Sequence, residues 1–126
     1  MNTLETWYNI LETGHLDELV NLLAEDAVFY SPVMHTPQVG NALVAQYLCA
    51  AFQLFSQYSF VYVREIVNGN EAVLEFEAEM DGLYLNGVDI ITWNDDGKIT
   101  DFKVMLRPLK AIHLVQEKMI AQLQTK

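Results

Sequence analysis

The chain has a single cysteine, Cys49. No internal disulfide can form, and a reducing, cytoplasmic setting is expected. Basic residues are scarce as well: 7 Lys and Arg stand against 17 Asp and Glu, for a net charge of −10. A surface that acidic repels nucleic acid and anionic membranes, so neither is expected as a partner. No apolar run approaches the roughly 20 residues that span a bilayer. The N-terminus lacks a basic stretch followed by an apolar one, so no signal peptide is expected. There is no phosphate-binding glycine loop and no serine-triad motif. His15 and His113 have no metal-type spacing to a carboxylate or thiol, so neither a metal nor a cofactor is expected.

What the chain does have is apolar material. Hydrophobic residues make up 52% of its 126 positions and charged residues only 19%, enough for a core in one domain spanning residues 1–126. The organising stretch is Gly87 to Leu109, which reads as two strands joined by the turn Asn94-Asp95-Asp96-Gly97. Alternation puts Asp89, Ile91 and Trp93 on one face of the first strand and Val88, Ile90 and Thr92 on the other. Thr100, Phe102, Val104 and Leu106 share a face of the second. One carboxylate thus lies in register with large apolar side chains.

Before this hairpin the pattern is helical, then extended. Residues 2 to 13 read as a helix, with Asn2 and Glu5 at capping-box spacing and Gly14 as the stop. A second helix is predicted over about 16 to 24, a short strand at Ala27-Val28-Phe29-Tyr30, and a loop from Val33 to Val39 that carries His35. Asn41 is predicted to cap a third helix, over about 42 to 55. Phe60 to Val67 is rich in β-branched and aromatic residues, and Asn68-Gly69-Asn70 signals a hairpin. Glu71 to Met80 alternates, with Ala72, Leu74, Phe76, Ala78 and Met80 on the core face. Pro108 starts a last helix over about 109 to 124, with Leu109, Ile112, Met119, Ile120 and Leu123 as its inward stripe. Helices gathered early and strands late indicate α+β. The early helices can close one end of a curved antiparallel sheet, leaving a cup whose mouth admits a small ligand.

These segments also carry a family likeness. Gly14-His15-Leu16-Asp17-Glu18-Leu19, then Leu22-Leu23-Ala24-Glu25-Asp26-Ala27-Val28, then Ser31-Pro32, resembles the nuclear transport factor 2-like superfamily and, within it, the SnoaL-like branch. Gly40 opening a helix, Gly87-Val88-Asp89-Ile90-Ile91 and Asp96-Gly97-Lys98-Ile99 fit the same pattern. The resemblance implies a cystatin-like conical α+β barrel, a deep pocket between sheet and helices, and a homodimer packed through the sheets. It implies no single reaction, since such folds host isomerases, cyclases, dehydratases and non-catalytic binders. In ketosteroid isomerases a carboxylate base moves a proton while a tyrosine and a protonated aspartic acid hold the oxyanion. By motif alignment Asp89 stands at the protonated acid. Ser31 occupies the base position, and Trp7, next to Tyr8, the oxyanion tyrosine.

The candidate catalytic residues are therefore Asp89 and His35. A buried carboxyl is pushed toward its neutral, hydrogen-bond-donating form; the alternative is an aspartate that pairs with a buried group and holds the fold. His35, on a loop after the first strand, is the candidate base, since imidazole is the side chain suited to proton transfer near working pH; the alternative is a histidine that caps a turn between Pro32 and Pro37. Trp7, Tyr8, Tyr30, Ser31, Tyr47, Phe76, Trp93 and Leu106 are the candidate ligand contacts; for the tyrosines the alternative is core with a wet polar tip, and for Trp7 and Trp93 it is filling the core. The expected ligand is a small, mostly apolar molecule bearing a carbonyl or hydroxyl. Cofactor-free proton transfer is the reaction class, and non-catalytic binding or a dimeric interaction domain are the other readings.

Overall fold

A computed structural model describes residues 2–124. Helix α1 spans Thr3–Thr13. Its capping box forms as the spacing predicts: Asn2 Oδ1 accepts from the Glu5 N–H at 2.8 Å, and Glu5 Oε1 accepts from the Asn2 N–H at 3.0 Å. Gly14 ends the helix at φ 75°, a left-handed conformation that glycine adopts without steric penalty, and its N–H bonds to the Ile10 carbonyl.

The predicted second helix is corrected by the structure. Leu16–Glu18 forms a single 3-10 turn and α2 is only Leu19–Leu22, because the chain extends from Leu23 onward. Strand β1 is Leu23–Tyr30. Leu23 pairs with Ile99, and Phe29 with Phe102, in a parallel ladder that draws Leu23 and Ala24 out of the helix. The loop that follows contains a two-residue strand β2, Gln38–Val39, antiparallel to β1. Helix α3 is Asn41–Phe55; its cap is Gly40 rather than Asn41, which is the first helical residue.

The remaining strands are β3 Ser59–Asn68, β4 Glu71–Met80, β5 Leu83–Trp93 and β6 Ile99–Arg107, and helix α4 spans Leu109–Gln124. The sheet order is β2-β1-β6-β5-β4-β3. The four long strands form the expected antiparallel meander. The β1–β6 pairing makes the whole sheet mixed, and it is curved but not closed into a barrel. Its inner face is the predicted one: Ala72, Leu74, Phe76, Ala78 and Met80 are all buried. The stripe predicted for α4 is displaced. Ala111 and Val115 are the buried residues of α4, which packs against α3, β6 and β5, whereas Leu109 is 67% exposed.

Two irregularities shape the inner surface. β3 carries a bulge at Val63, between the pairs Tyr62↔Phe76 and Arg64↔Glu75. The extra residue bends the strand and shifts which positions face inward beyond it. Gly87 on β5 faces Phe76 and Leu106: a β-carbon there would lie 2.6 Å from Phe76 Cζ and 2.4 Å from the Met105 carbonyl oxygen. Only glycine lets the neighbouring strands bring those side chains together over this point.

Candidate functional site

A cavity of about 710 Å³ lies between the inner face of the sheet and helices α1, α3 and α4. That volume falls within the several-hundred-Å³ range of small-molecule sites. The walls are largely aromatic. Phe60 stacks on Phe76 with ring centroids 4.9 Å apart, and Trp7 packs on Phe102 at 5.0 Å. Among the described residues no Lys, Arg or His lines the cavity, and the carboxyls that do are Glu12 and Asp89.

Asp89 reaches the cavity because β5 alternates around it. It pairs with Leu74 of β4 on one side and Val104 of β6 on the other, and it is 6% exposed. Tyr62, at the last regular position of β3 before the bulge, donates a hydrogen bond of 2.5 Å to Asp89 Oδ2. Tyr62 in turn accepts from Trp7 Nε1 at 3.3 Å. The direction of this relay is dictated by chemistry: an indole N–H can only donate, so the Tyr62 oxygen accepts from it and sends its own proton to Asp89. Among the described residues no buried side-chain oxygen or nitrogen is left unpaired, and Tyr62 is the one side-chain partner of Asp89, through Oδ2. Oδ1 therefore opens toward the cavity.

Burial raises the Asp89 pKa from an ordinary 3.8 to about 7, despite the opposing pull of the Tyr62 hydrogen bond. The carboxyl thus samples both protonation states near neutrality. As a carboxylate it can accept a proton from a ligand at Oδ1; as an acid it can donate a hydrogen bond from the same atom, with Oδ2 held by Tyr62 throughout. The Tyr62 hydroxyl is raised well above the usual phenol value, first by burial and then by the neighbouring Asp89, so it remains protonated as a donor. Tyr8, edge-on to Tyr62 at 5.9 Å, donates to Glu65 Oε1 at 2.5 Å. Burial and the hydrogen bond to Glu65 raise its pKa as well.

Of the residues singled out in the sequence, Asp89, Trp7, Tyr8, Ser31, Phe76 and Leu106 line this cavity together. The other four do not. His35 is exposed on its loop and outside the lining. Tyr30 turns its ring toward Lys103, whose Nζ lies 5.0 Å from the centroid. Trp93 packs against the core, and its carbonyl accepts from Asn70 at 2.7 Å. Tyr47 lines a separate groove beside α4. Ser31 Oγ accepts from the Val33 N–H at 3.2 Å, which shapes the turn after β1. Tyr62 is the site residue that the sequence reading missed. The signal was present as the two-residue spacing of Phe60 and Tyr62, but it is cut short by the bulge.

A family model described as SnoaL-like domain matches residues 4–102. No curated protein matches the chain. Among solved structures, a steroid delta-isomerase from Pseudomonas aeruginosa is 36% identical, with a TM-score of 0.92, over 98% of this chain and 90% of that one. An uncharacterized protein with a cystatin-like fold from Silicibacter pomeroyi DSS-3 is 32% identical, with a TM-score of 0.87, over 98% and 86%. A putative ketosteroid isomerase from Kribbella flavida DSM 17836 shares the fold at 18% identity, with a TM-score of 0.67, over 84% and 76%.

Proposed function

The chain belongs to the SnoaL-like domain family, and from that premise we propose that it binds a small, mostly apolar molecule bearing a carbonyl or hydroxyl and moves a proton on it without a cofactor. The observation that carries this reading is Asp89: a carboxyl with a pKa near 7, one oxygen fixed by Tyr62 and the other open to an aromatic-walled cavity. Acid–base catalysis works best when the catalytic pKa lies near the working pH. Ser31 stands where a ketosteroid isomerase carries its base, and an unactivated serine hydroxyl takes no proton at neutral pH. His35 lies outside the cavity. Asp89 is then the group that both removes and returns the proton, with Tyr62 stabilising its ionised form. The steroid delta-isomerase relative supports unsaturated ketones of steroid shape as the first ligands to try.

The test is a panel of β,γ-unsaturated ketones, enones and hydroxy-ketones, followed by absorbance, with Asp89→Asn as the control. General acid–base work by one group contributes roughly 10²–10⁴-fold, and Asp89→Asn is expected to lose that much. Equal turnover by the variant removes Asp89 from the mechanism. The absence of a base at Ser31 favours a second reading, a binding protein without catalysis. Saturable quenching of Trp7 fluorescence by a ketone that is never converted would select it.

A homodimer in the cytoplasm completes the proposal. The outer face of the sheet exposes Val61, Ile66 and Met105, each more than half accessible, beside the acids Glu75, Glu77 and Glu79 and the bases Lys103 and Arg107. An apolar patch with both signs of charge suits a two-fold contact in which each copy offers the same surface to the other. Sedimentation equilibrium tests it: a monomer at micromolar concentration contradicts this part.

A further inference from the structure

A second hollow of about 400 Å³ runs alongside the first, under helix α4 and the loop after β1. Ser31, Val33 and Met119 line both spaces, so no more than one layer of side chains divides them. The two differ in character. The main cavity is walled by rings, which are rigid. The groove beyond the divide is mostly aliphatic: Met34, Ile120 and Leu123, with one ring, Tyr47, and the amides Gln116 and Gln124 among its lining. Met119, on the divide, has an unbranched thioether that repacks at small cost. No Lys, Arg or His lines either space among the described residues, so an anionic group would enter without a counter-charge and meet Glu12 and Asp89.

We infer that the ligand is an uncharged, elongated molecule, with its carbonyl-bearing head at Asp89 in the ring-walled cavity and a flexible hydrocarbon tail passing Ser31, Val33 and Met119 into the groove under α4. This rests on the reading of Asp89 as the group that meets the ligand carbonyl, and adds the ligand's shape and charge. A tail also accounts for the exposed side chains of the groove. Met34 is 39% and Ile120 52% exposed, and an aliphatic chain lying between them would cover both.

The probe is a series of 2-alkanones from 2-heptanone to 2-tridecanone, titrated calorimetrically into the intact protein, with the matching fatty carboxylates as charge controls. Each methylene that leaves water for an apolar groove is expected to tighten binding about fourfold, so affinity climbs through the longer ketones. Ile120→Glu and, separately, Met34→Glu place a charge in the groove at exposed positions that leave the main cavity intact. Both are expected to bind 2-heptanone as the wild type does and to lose the gain with chain length. Carboxylates are expected to bind at least tenfold more weakly than ketones of the same length. If the chain-length dependence is the same in wild type and both variants, or if carboxylates bind as tightly as ketones, the inference is wrong while the head-group reading stands. If no ketone of any length binds, both fall together.

Discussion

Replacing Asp89 with asparagine is expected to stabilise the protein, and by an amount that depends on pH. Folding raises the Asp89 pKa from 3.8 to about 7. Between those values the folded state holds a proton that the unfolded chain has released. The stability contributed by that proton is complete below about pH 4, falls as the pH rises, and is gone above about pH 7. At about 1.4 kcal/mol per pH unit, the interval amounts to about 4 kcal/mol, a large share of the roughly 5–15 kcal/mol that holds a typical domain together. Asparagine keeps the shape and presents an amide oxygen to the Tyr62 hydroxyl, but has no charge to bury. The assay is urea denaturation of wild type and Asp89→Asn at pH 4, 5, 6, 7 and 8. Comparing the two proteins cancels the titration of the other acids, which both share. The variant's advantage over wild type is expected to grow by several kcal/mol from pH 4 to pH 7 and then level off. A difference that stays flat across this range would refute the claim that Asp89 is desolvated in the fold.

Three further substitutions probe the surroundings of that carboxyl and the frame that holds it. Tyr62→Phe removes the hydrogen bond that favours the ionised form, so the pH dependence of stability is expected to move to higher pH and the stability at pH 8 to fall by about 1–3 kcal/mol; an unchanged denaturation profile contradicts the contact. Gly87→Ala drives a methyl group into the Met105 carbonyl and the Phe76 ring, and calorimetry is expected to show a loss of about 1–3 kcal/mol or more, together with weaker ketone binding as Phe76 and Leu106 are displaced into the cavity. Asn2→Ala removes half of the capping box on α1, with an expected cost of about 1 kcal/mol and no effect on the Asp89 titration, since the cap lies more than one helical turn before Trp7.

How far the site could be read from the sequence depended on whether one period ran unbroken through each element. β4 and β5 alternate without interruption, and that period alone puts Phe76 and Asp89 on the inward faces of their strands. β3 alternates only as far as Tyr62. At Val63 the bulge resets the register, so no single alternation runs through Phe60 to Val67 and nothing in that stretch marks Tyr62 as the residue that faces Asp89. The short run Leu22-Leu23-Ala24 fits a helix face or a buried strand equally well by pattern; the parallel pairing with β6, which lies some seventy-five residues further along the chain, decided it (Leu23 with Ile99). Such long-range pairing leaves no mark in local sequence. His35 shows the same limit from the other side: its chemistry was legible, but where a loop lies relative to a cavity is set by packing, and the structure leaves this one in solvent.

The most direct measurement is the titration of the Asp89 carboxyl carbon by NMR on carbon-13-labelled protein, assigned with Asp89→Asn. The account predicts a midpoint near pH 7, moving higher when a bound ketone expels water from the cavity. A midpoint below about pH 5, close to that of an ordinary aspartate, would contradict it.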